Sequence, residues 1–375
     1  SKITNRKAAF ISTCSLSSMP LWIQYSRYAS PDILFVLCTL LVIYFFLKAL
    51  DSTPFAKQYF YIFFSGLFIS SSFFIRSFMA FVPLIGLSPF LLYHLIRKDF
   101  LFNINFLGGM LFGSIPTALN FYFSFQKYGI VGITSLFDFA KKQAIGGFRF
   151  DDFLLIPLNF LYFTFPVGLL IVILYIFNNS DFKVKYPLLT YCFPLISLVV
   201  LMSMSTSYPH YYLFLLPFLS NLFAVYLISS SFNFTSSKIF IRSILFLCMI
   251  LLSSILLFFV INFKEFLINY ANGRNSLIYI VTLFLLLSYL SSIRFLLGNK
   301  YSHLDLKSFF YNIVIPQYIS LSLLYNNGIL GNPNYNTKSF LNDQDISSIT
   351  SSNTIYLFSV DSKIQTLLSY YLPSS

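Results

Sequence analysis

Long apolar segments separated by short polar ones run through most of this chain. A helix needs about 20 apolar residues to cross a bilayer's hydrocarbon. Segments of that order fall at 8–25, 33–50, 59–75, 77–96, 101–123, 153–177, 186–205, 210–231, 238–262, 276–297 and 308–325. Ser15, Ser17, Ser18 and Pro20 interrupt the first, and Asn312, Pro316 and Gln317 interrupt the last. The sequence shows no internal repeat and no low-complexity linker. After residue 325 the pattern changes. Residues 326–354 are rich in Asn, Ser, Gly and Asp, then Thr354-Ile-Tyr-Leu-Phe-Ser-Val360 reads as a buried strand. Asp361-Ser362 reads as the cap of a helix over 363–372, ahead of Pro373. The pattern predicts an all-α polytopic membrane protein: a transmembrane bundle of about 11 spans over 1–325 and a small extracytoplasmic α/β tail over 326–375. About 50 residues is marginal for independent folding, so the tail is expected to pack on the membrane part or to be cut short.

Composition sharpens this picture. The chain is 57% hydrophobic and 10% charged, with mean hydropathy +0.76, where a soluble domain carries about 25% charged residues. A soluble fold is excluded. The 49 Phe and 27 Tyr fit an AT-rich coding bias, so a single aromatic carries little functional weight. A net charge of +12 would suggest nucleic acid in a soluble protein. Here the basic residues sit in short inter-helix loops, where they encode topology, and no nucleic-acid partner is expected. With residues 1–7 in the cytoplasm, fourteen Lys and Arg fall in cytoplasmic loops and eight on the other side, which favours that orientation. Six of the eight exceptions fall in three outer loops, 26–32, 75–77 and 124–152.

Other classes of chemistry drop out. Cys14, Cys38, Cys192 and Cys248 lie far apart in apolar segments and read as small buried hydrophobes, with no metal spacing. No Walker motif, no Gly-rich dinucleotide turn, no Ser-His-Asp arrangement and no metal-ligand cluster stands in the sequence, so no cofactor is implied and a soluble nucleotide has no site. The chain begins with a polar, basic stretch, Ser1 to Lys7, without a signal peptide, and reads as a fragment lacking its N-terminus.

The off-rule cations define the candidate site. Ser26-Arg27-Tyr28-Ala29-Ser30-Pro31-Asp32 puts a fixed cation and a carboxylate five residues apart, where a span meets water. Arg27 held by Asp32 suits a phosphate oxygen, because guanidinium donors form a rigid fork; an interfacial salt bridge with a snorkelling Arg is the alternative. Arg76, in the tight hairpin Ile75-Arg76-Ser77, faces the same side, either as a second phosphate ligand or as a headgroup anchor. The long outer loop carries Lys127, Lys141, Lys142 and Arg149, and its piece from Ser135 reads as an amphipathic surface helix hinged by Gly146-Gly147. Tyr208-Pro209-His210-Tyr211-Tyr212 stands at an interface, as part of a substrate cavity or as an aromatic belt. His94 and His303 fall on the cytoplasmic side and take no role.

In order, these segments resemble the protein mannosyltransferase and aminoarabinose transferase superfamily, which has the GT-C fold. The resemblance rests on Ser26 to Leu34, on Gly66-Leu67-Phe68-Ile69 followed by Arg76-Ser77, on Pro157 to Pro166, and on Tyr211-Tyr212-Leu213-Phe214-Leu215-Leu216-Pro217. It covers roughly residues 20–220. It implies an integral-membrane glycosyltransferase of a bacterial inner or cell membrane, with its active site outward. The enzyme would move a hexose or pentose from a polyprenyl-phosphate-linked donor to a glycan, lipid or protein acceptor, amid membrane lipid. By the same resemblance, Arg27, Asp32, Arg76, Lys141 and Lys142 bind the donor phosphate, and Tyr208, His210 and Tyr211 line the substrate cavity. The catalytic carboxylate would lie in an outer loop that precedes this chain's first span. Arg76 replaces the family's usual Lys. Two other readings remain: an O-antigen polymerase or ligase, and a polytopic transporter or flippase. The latter calls for mid-span charges and paired broken helices that the sequence does not show. An oligosaccharyltransferase would need paired Trp, and the chain has only Trp22.

Overall fold

The computed structural model describes residues 6–27, 30–52, 54–134, 137–138, 160–161, 163–165, 167–168, 171–172, 185–204, 208–229, 275–298 and 306–326. The described residues are almost wholly helical, as the hydrophobic pattern predicts. The expected span at 238–262, most of that at 153–177, and the strand and helix expected at 354–360 and 363–372 lie outside them. The chain divides into two units, Ser1–Leu323 and Leu324–Ser375.

The interrupted first span is two helices, α1 (Arg6–Ser18) and α2 (Pro20–Tyr25). Pro20 lacks an N–H and disfavours a helical Met19, which is extended at φ −70°, ψ 129°. The serines that weaken the apolar pattern turn inward and satisfy themselves: Ser15 donates to the Ile11 carbonyl at 2.6 Å and Ser18 to that of Ser15 at 2.8 Å.

Four longer helices follow: α3 (Pro31–Asp51), α4 (Phe55–Arg76), α5 (Phe81–Leu95) and α6 (Phe100–Tyr128). Among the described residues, three helical stretches are long and apolar enough to cross a membrane: Pro31–Asp51, Phe55–Leu95 and Phe100–Tyr128. The second doubles back. Ser77 sits at φ 48°, a backbone region that few residues other than glycine adopt, and a short 3-10 turn, Ser77–Ala80, starts the return. Arg76 therefore meets the start of α3, while His94 near the end of α5 packs against Phe46, deep along α3.

Helices α4 and α6 touch backbone to backbone. A Cβ on Gly109 would lie 1.9 Å from the Phe63 carbonyl oxygen, and one on Gly113 would lie 2.3 Å from that of Leu67. The spacing Gly109-x-x-x-Gly113 is the small-residue seam that lets membrane helices approach closely, where dispersion and polar contacts replace the hydrophobic effect. Ser65 adds a hydrogen bond from α4 to the Val42 carbonyl of α3 at 3.0 Å. Together these contacts hold α4 against both α3 and α6.

A π-helical turn, Leu188–Cys192, leads into α7 (Phe193–Ser203). A 3-10 turn, Pro209–Leu215, leads into α8 (Leu216–Ser229), which lies along α1 with the Ser12 and Ser220 hydroxyls 3.0 Å apart. Helices α9 (Asn275–Gly298) and α10 (Leu306–Asn326) complete the described chain. Gln317, which breaks the last apolar segment, is buried, and its amide donates to the Phe165 carbonyl at 2.9 Å and the Ser18 carbonyl at 3.4 Å.

Candidate functional site

The first turn of α3 is built to hold a carboxylate. Ser30 caps the helix: its hydroxyl accepts from the Asp32 backbone N–H at 3.3 Å. Pro31 takes the first helical position, where its missing N–H costs nothing. Asp32 then lies among the helix's free N–H groups, whose partial positive charge favours an anion. Asp32 is only 5% exposed. Its Oδ2 accepts from the Ser30 hydroxyl, and its Oδ1 pairs with Nη2 of Arg76.

Arg76 arrives from the opposite direction as the last residue of α4. The sequence places it at the surface; in the fold its side chain is 21% exposed and Nη2 is closed to solvent, hydrogen-bonded to nothing beyond its ion pair among the described residues. The Tyr211 ring lies 5.7 Å from the guanidinium carbon, a cation–π contact. The Tyr211 ring meets the His210 ring edge-on at 4.6 Å; His210 stacks on Tyr208 at 5.6 Å and tilts against Tyr25 of α2 at 5.7 Å. Asp32, Arg76, Tyr208, His210 and Tyr211, far apart in sequence, thus form one cluster at the end of the bundle where α3 begins and α4 ends.

One expected partnership differs. Asp32 faces Arg76, where the sequence suggests that it orients Arg27. The reason is local: Ser30-Pro31 starts a helix, which turns the Asp32 side chain toward α4. Arg27 remains exposed in the turn after α2. Lys141 and Lys142 lie outside the described residues. Ser30 and Tyr25 were not singled out from the sequence. Ser-Pro-Asp ahead of an apolar run is a legible cap signal, whereas nothing in sequence separates Tyr25 from the chain's many other tyrosines. A site of this kind can hold an anion: a guanidinium pinned by a carboxylate and a ring keeps its remaining donors in a fixed plane, and so bonds phosphate without first being ordered.

The opposite end of α3 carries a second ion pair, Asp51 with Lys185 at 3.3 Å, their side chains 30% and 56% exposed. Hydrogen bonds with Tyr186 and Asp51 raise the Lys185 ammonium above its ordinary pKa. Among the described residues no group of His, Cys, Asp and Glu is placed to hold a metal ion.

Comparison with known proteins bears on this arrangement. Residues 1–122 match the dolichyl-phosphate-mannose-protein mannosyltransferase family. No curated protein sequence matches the chain significantly. The fold is similar to that of ArnT from Cupriavidus metallidurans solved with undecaprenyl phosphate bound, at TM-score 0.66 and 14% identity, covering 98% of this chain and 66% of that one. It is also similar to ArnT from the same organism in the apo state, at TM-score 0.57 and 15% identity, covering 87% and 58%. This chain therefore spans just under two thirds of the first ArnT chain. The chain thus shares the GT-C-type helical bundle of ArnT, and its N-terminal third is similar to the mannosyltransferase family.

Proposed function

We propose that the chain takes part in transferring a sugar from a polyprenyl-phosphate-linked donor to an acceptor at the extracytoplasmic face. The observation that carries this reading is the Asp32–Arg76–Tyr211 cluster, in a fold shared with a protein solved with undecaprenyl phosphate. In such a transfer the acceptor's hydroxyl or amine attacks the anomeric carbon and loses its proton to a base or to water, and the polyprenyl phosphate leaves with both electrons of the broken C–O bond. A cation fixed beside the phosphate stabilises the negative charge that develops there, and its effect grows where water is excluded. Arg76 is the residue to which this reading gives that role. Asp32 is a positioning residue: both of its oxygens are engaged, by Arg76 and Ser30, which leaves it poorly suited to take a proton from the acceptor. Arg27, exposed at the same end, is the second cation for the headgroup, and Lys141 and Lys142 are further candidates from the long outer loop.

Native mass spectrometry of the purified chain tests this reading with undecaprenyl phosphate against undecaprenol. The phosphate should be retained and undecaprenol not, and Arg76→Ala should abolish the difference. Equal retention of both lipids by the unaltered chain would overturn it. Orientation has its own test. A cysteine at Ser26 should label with an impermeant reagent from outside the cell, and one at Ile96, which is 80% exposed at the other end, should not.

A further inference from the structure

Beside the Arg76–Asp32 pair, three rings from two separate elements stand in a row. Tyr25 closes α2, and Tyr208 and His210 flank Pro209 at the start of the 3-10 turn. Tyr208 and His210 are parallel to within 9°, and His210 leans at 51° on Tyr25. Tyr208 also meets Tyr211 edge-on at 5.6 Å, and Tyr211 is the ring beneath the Arg76 guanidinium. Yet Tyr211 is buried, whereas Tyr208 is 51% exposed. His210 stacks on one face of Tyr208 and Tyr211 meets it edge-on, and about half of the residue stays exposed. Its backbone is set in advance: the following proline restricts it to extended geometry, observed at φ −82°, ψ 145°, and its carbonyl accepts from Tyr211 N–H at 3.0 Å.

A tyrosine of a membrane belt needs no such support. It places a single ring at the headgroup level with its hydroxyl toward water. A ring backed by a second ring, held rigid and half exposed, suits a flat ligand that stacks. The aromatic face is electron-rich and attracts polarised C–H groups, and a pyranose presents a row of these on one side while its hydroxyls point outward.

We infer that Tyr208 is a saccharide platform on which a sugar ring of the reacting donor or acceptor lies, one ring away from the residue that cradles Arg76. The inference rests on the transferase reading for the identity of the reaction, though not for the binding itself. Tyr208 is here a binding residue, and His210 and Tyr25 are its positioning residues.

Trp22, the chain's one tryptophan, lies three residues before Tyr25 in the same short helix and reports on this corner by fluorescence. The purified chain would be titrated with a panel of neutral methyl hexosides and pentosides, with bare undecaprenyl phosphate, and with undecaprenyl-phosphate-linked sugars. Stacking predicts that Tyr208→Leu weakens the sugar response about tenfold, that Tyr208→Phe preserves it, and that neither changes the affinity for bare undecaprenyl phosphate. A response to free glycosides assigns the platform to the acceptor. A response only to the lipid-linked sugar, beyond that to the bare lipid, assigns it to the donor. If Tyr208→Leu matches the unaltered chain with every sugar, or loses the bare lipid as well, the platform is wrong. Failure of the phosphate reading shows separately, as a bare-lipid response that Arg76→Ala leaves intact.

Discussion

The two ends of α3 carry the same chemistry in different settings. At one end Asp32 meets Arg76, and at the other Asp51 meets Lys185. Asp32 is capped by Ser30, lies in the first turn where the helix favours an anion, and faces a guanidinium resting on a ring. Asp51 lies at the C-terminal end of the same helix, where the backbone charge favours cations, and faces a flexible ammonium more than half in water. An exposed pair of that kind contributes about 0–1 kcal/mol. A buried pair is costly to assemble and costly to break, since removal of one partner strands the other, at about 3–5 kcal/mol. A buried pair is therefore weak evidence for stability, and its assembly here fits a charge held ready for a ligand.

Breaking the comparison at its strong end should have the largest effect. Arg76→Ala leaves Asp32 buried without its cation and should lower the stability of the detergent-solubilised protein by about 3 kcal/mol. On the proposed transferase reading it should also slow sugar transfer about a hundredfold. Arg76→Lys should restore most of the stability and little of the transfer, because an ammonium keeps the charge and loses the fork. Similar losses at Lys185→Ala would erase the distinction between the two ends.

The next effect comes from the seam that aims Arg76. Gly109→Val forces a side chain into the Phe63 carbonyl and should cost roughly 1–3 kcal/mol. The disturbance travels along α4, so binding of undecaprenyl phosphate should fall although no ligand-facing residue has changed. Gly108→Val, one position away with open space around its Cβ, should be nearly silent in both assays.

Ser30→Ala removes the cap of α3 and the hydroxyl that bonds Asp32. A loss of about 1 kcal/mol in thermal unfolding is expected, together with measurably weaker lipid binding. Ser52→Ala, just past the other end of α3, should leave lipid binding unchanged.

The smallest effect belongs to the exposed pair. Lys185→Ala should change stability by less than about 1 kcal/mol, and less still at high salt. Because the Lys185 pKa is raised in the fold, the pair's contribution is fully present below the ordinary lysine value of 10.5 and is lost only as pH rises through the higher folded value. Unfolding midpoints of the unaltered chain and of Lys185→Ala should therefore run parallel from pH 6 to 9, roughly. Divergence inside that window would show Lys185 in another role.

Much of the architecture was legible because a bilayer leaves so few choices. Segment length and apolarity fix where helices cross, and the described helices fall close to the expected spans, with Pro20 breaking the first where the sequence is interrupted. The caps are equally local: Ser30-Pro31-Asp32 starts a helix wherever it stands before an apolar run. The sequence also marked Arg27, Asp32, Arg76 and Tyr211 as unusual, since a charge or polar ring at the edge of a span is visible without a structure. Which of them meet was not visible. The partner of Asp32 is 44 residues away in Arg76 and not five away in Arg27. That choice depends on α4, of 22 residues, running back along α3, of 21, to the level at which α3 began, and on the packing that holds α4 against α3 and α6. The ring beneath Arg76 comes from still farther along the chain. Composition and periodicity act through neighbours in sequence and through the solvent. An ion pair between helices depends on where packing brings their ends, and only the tertiary structure decides that.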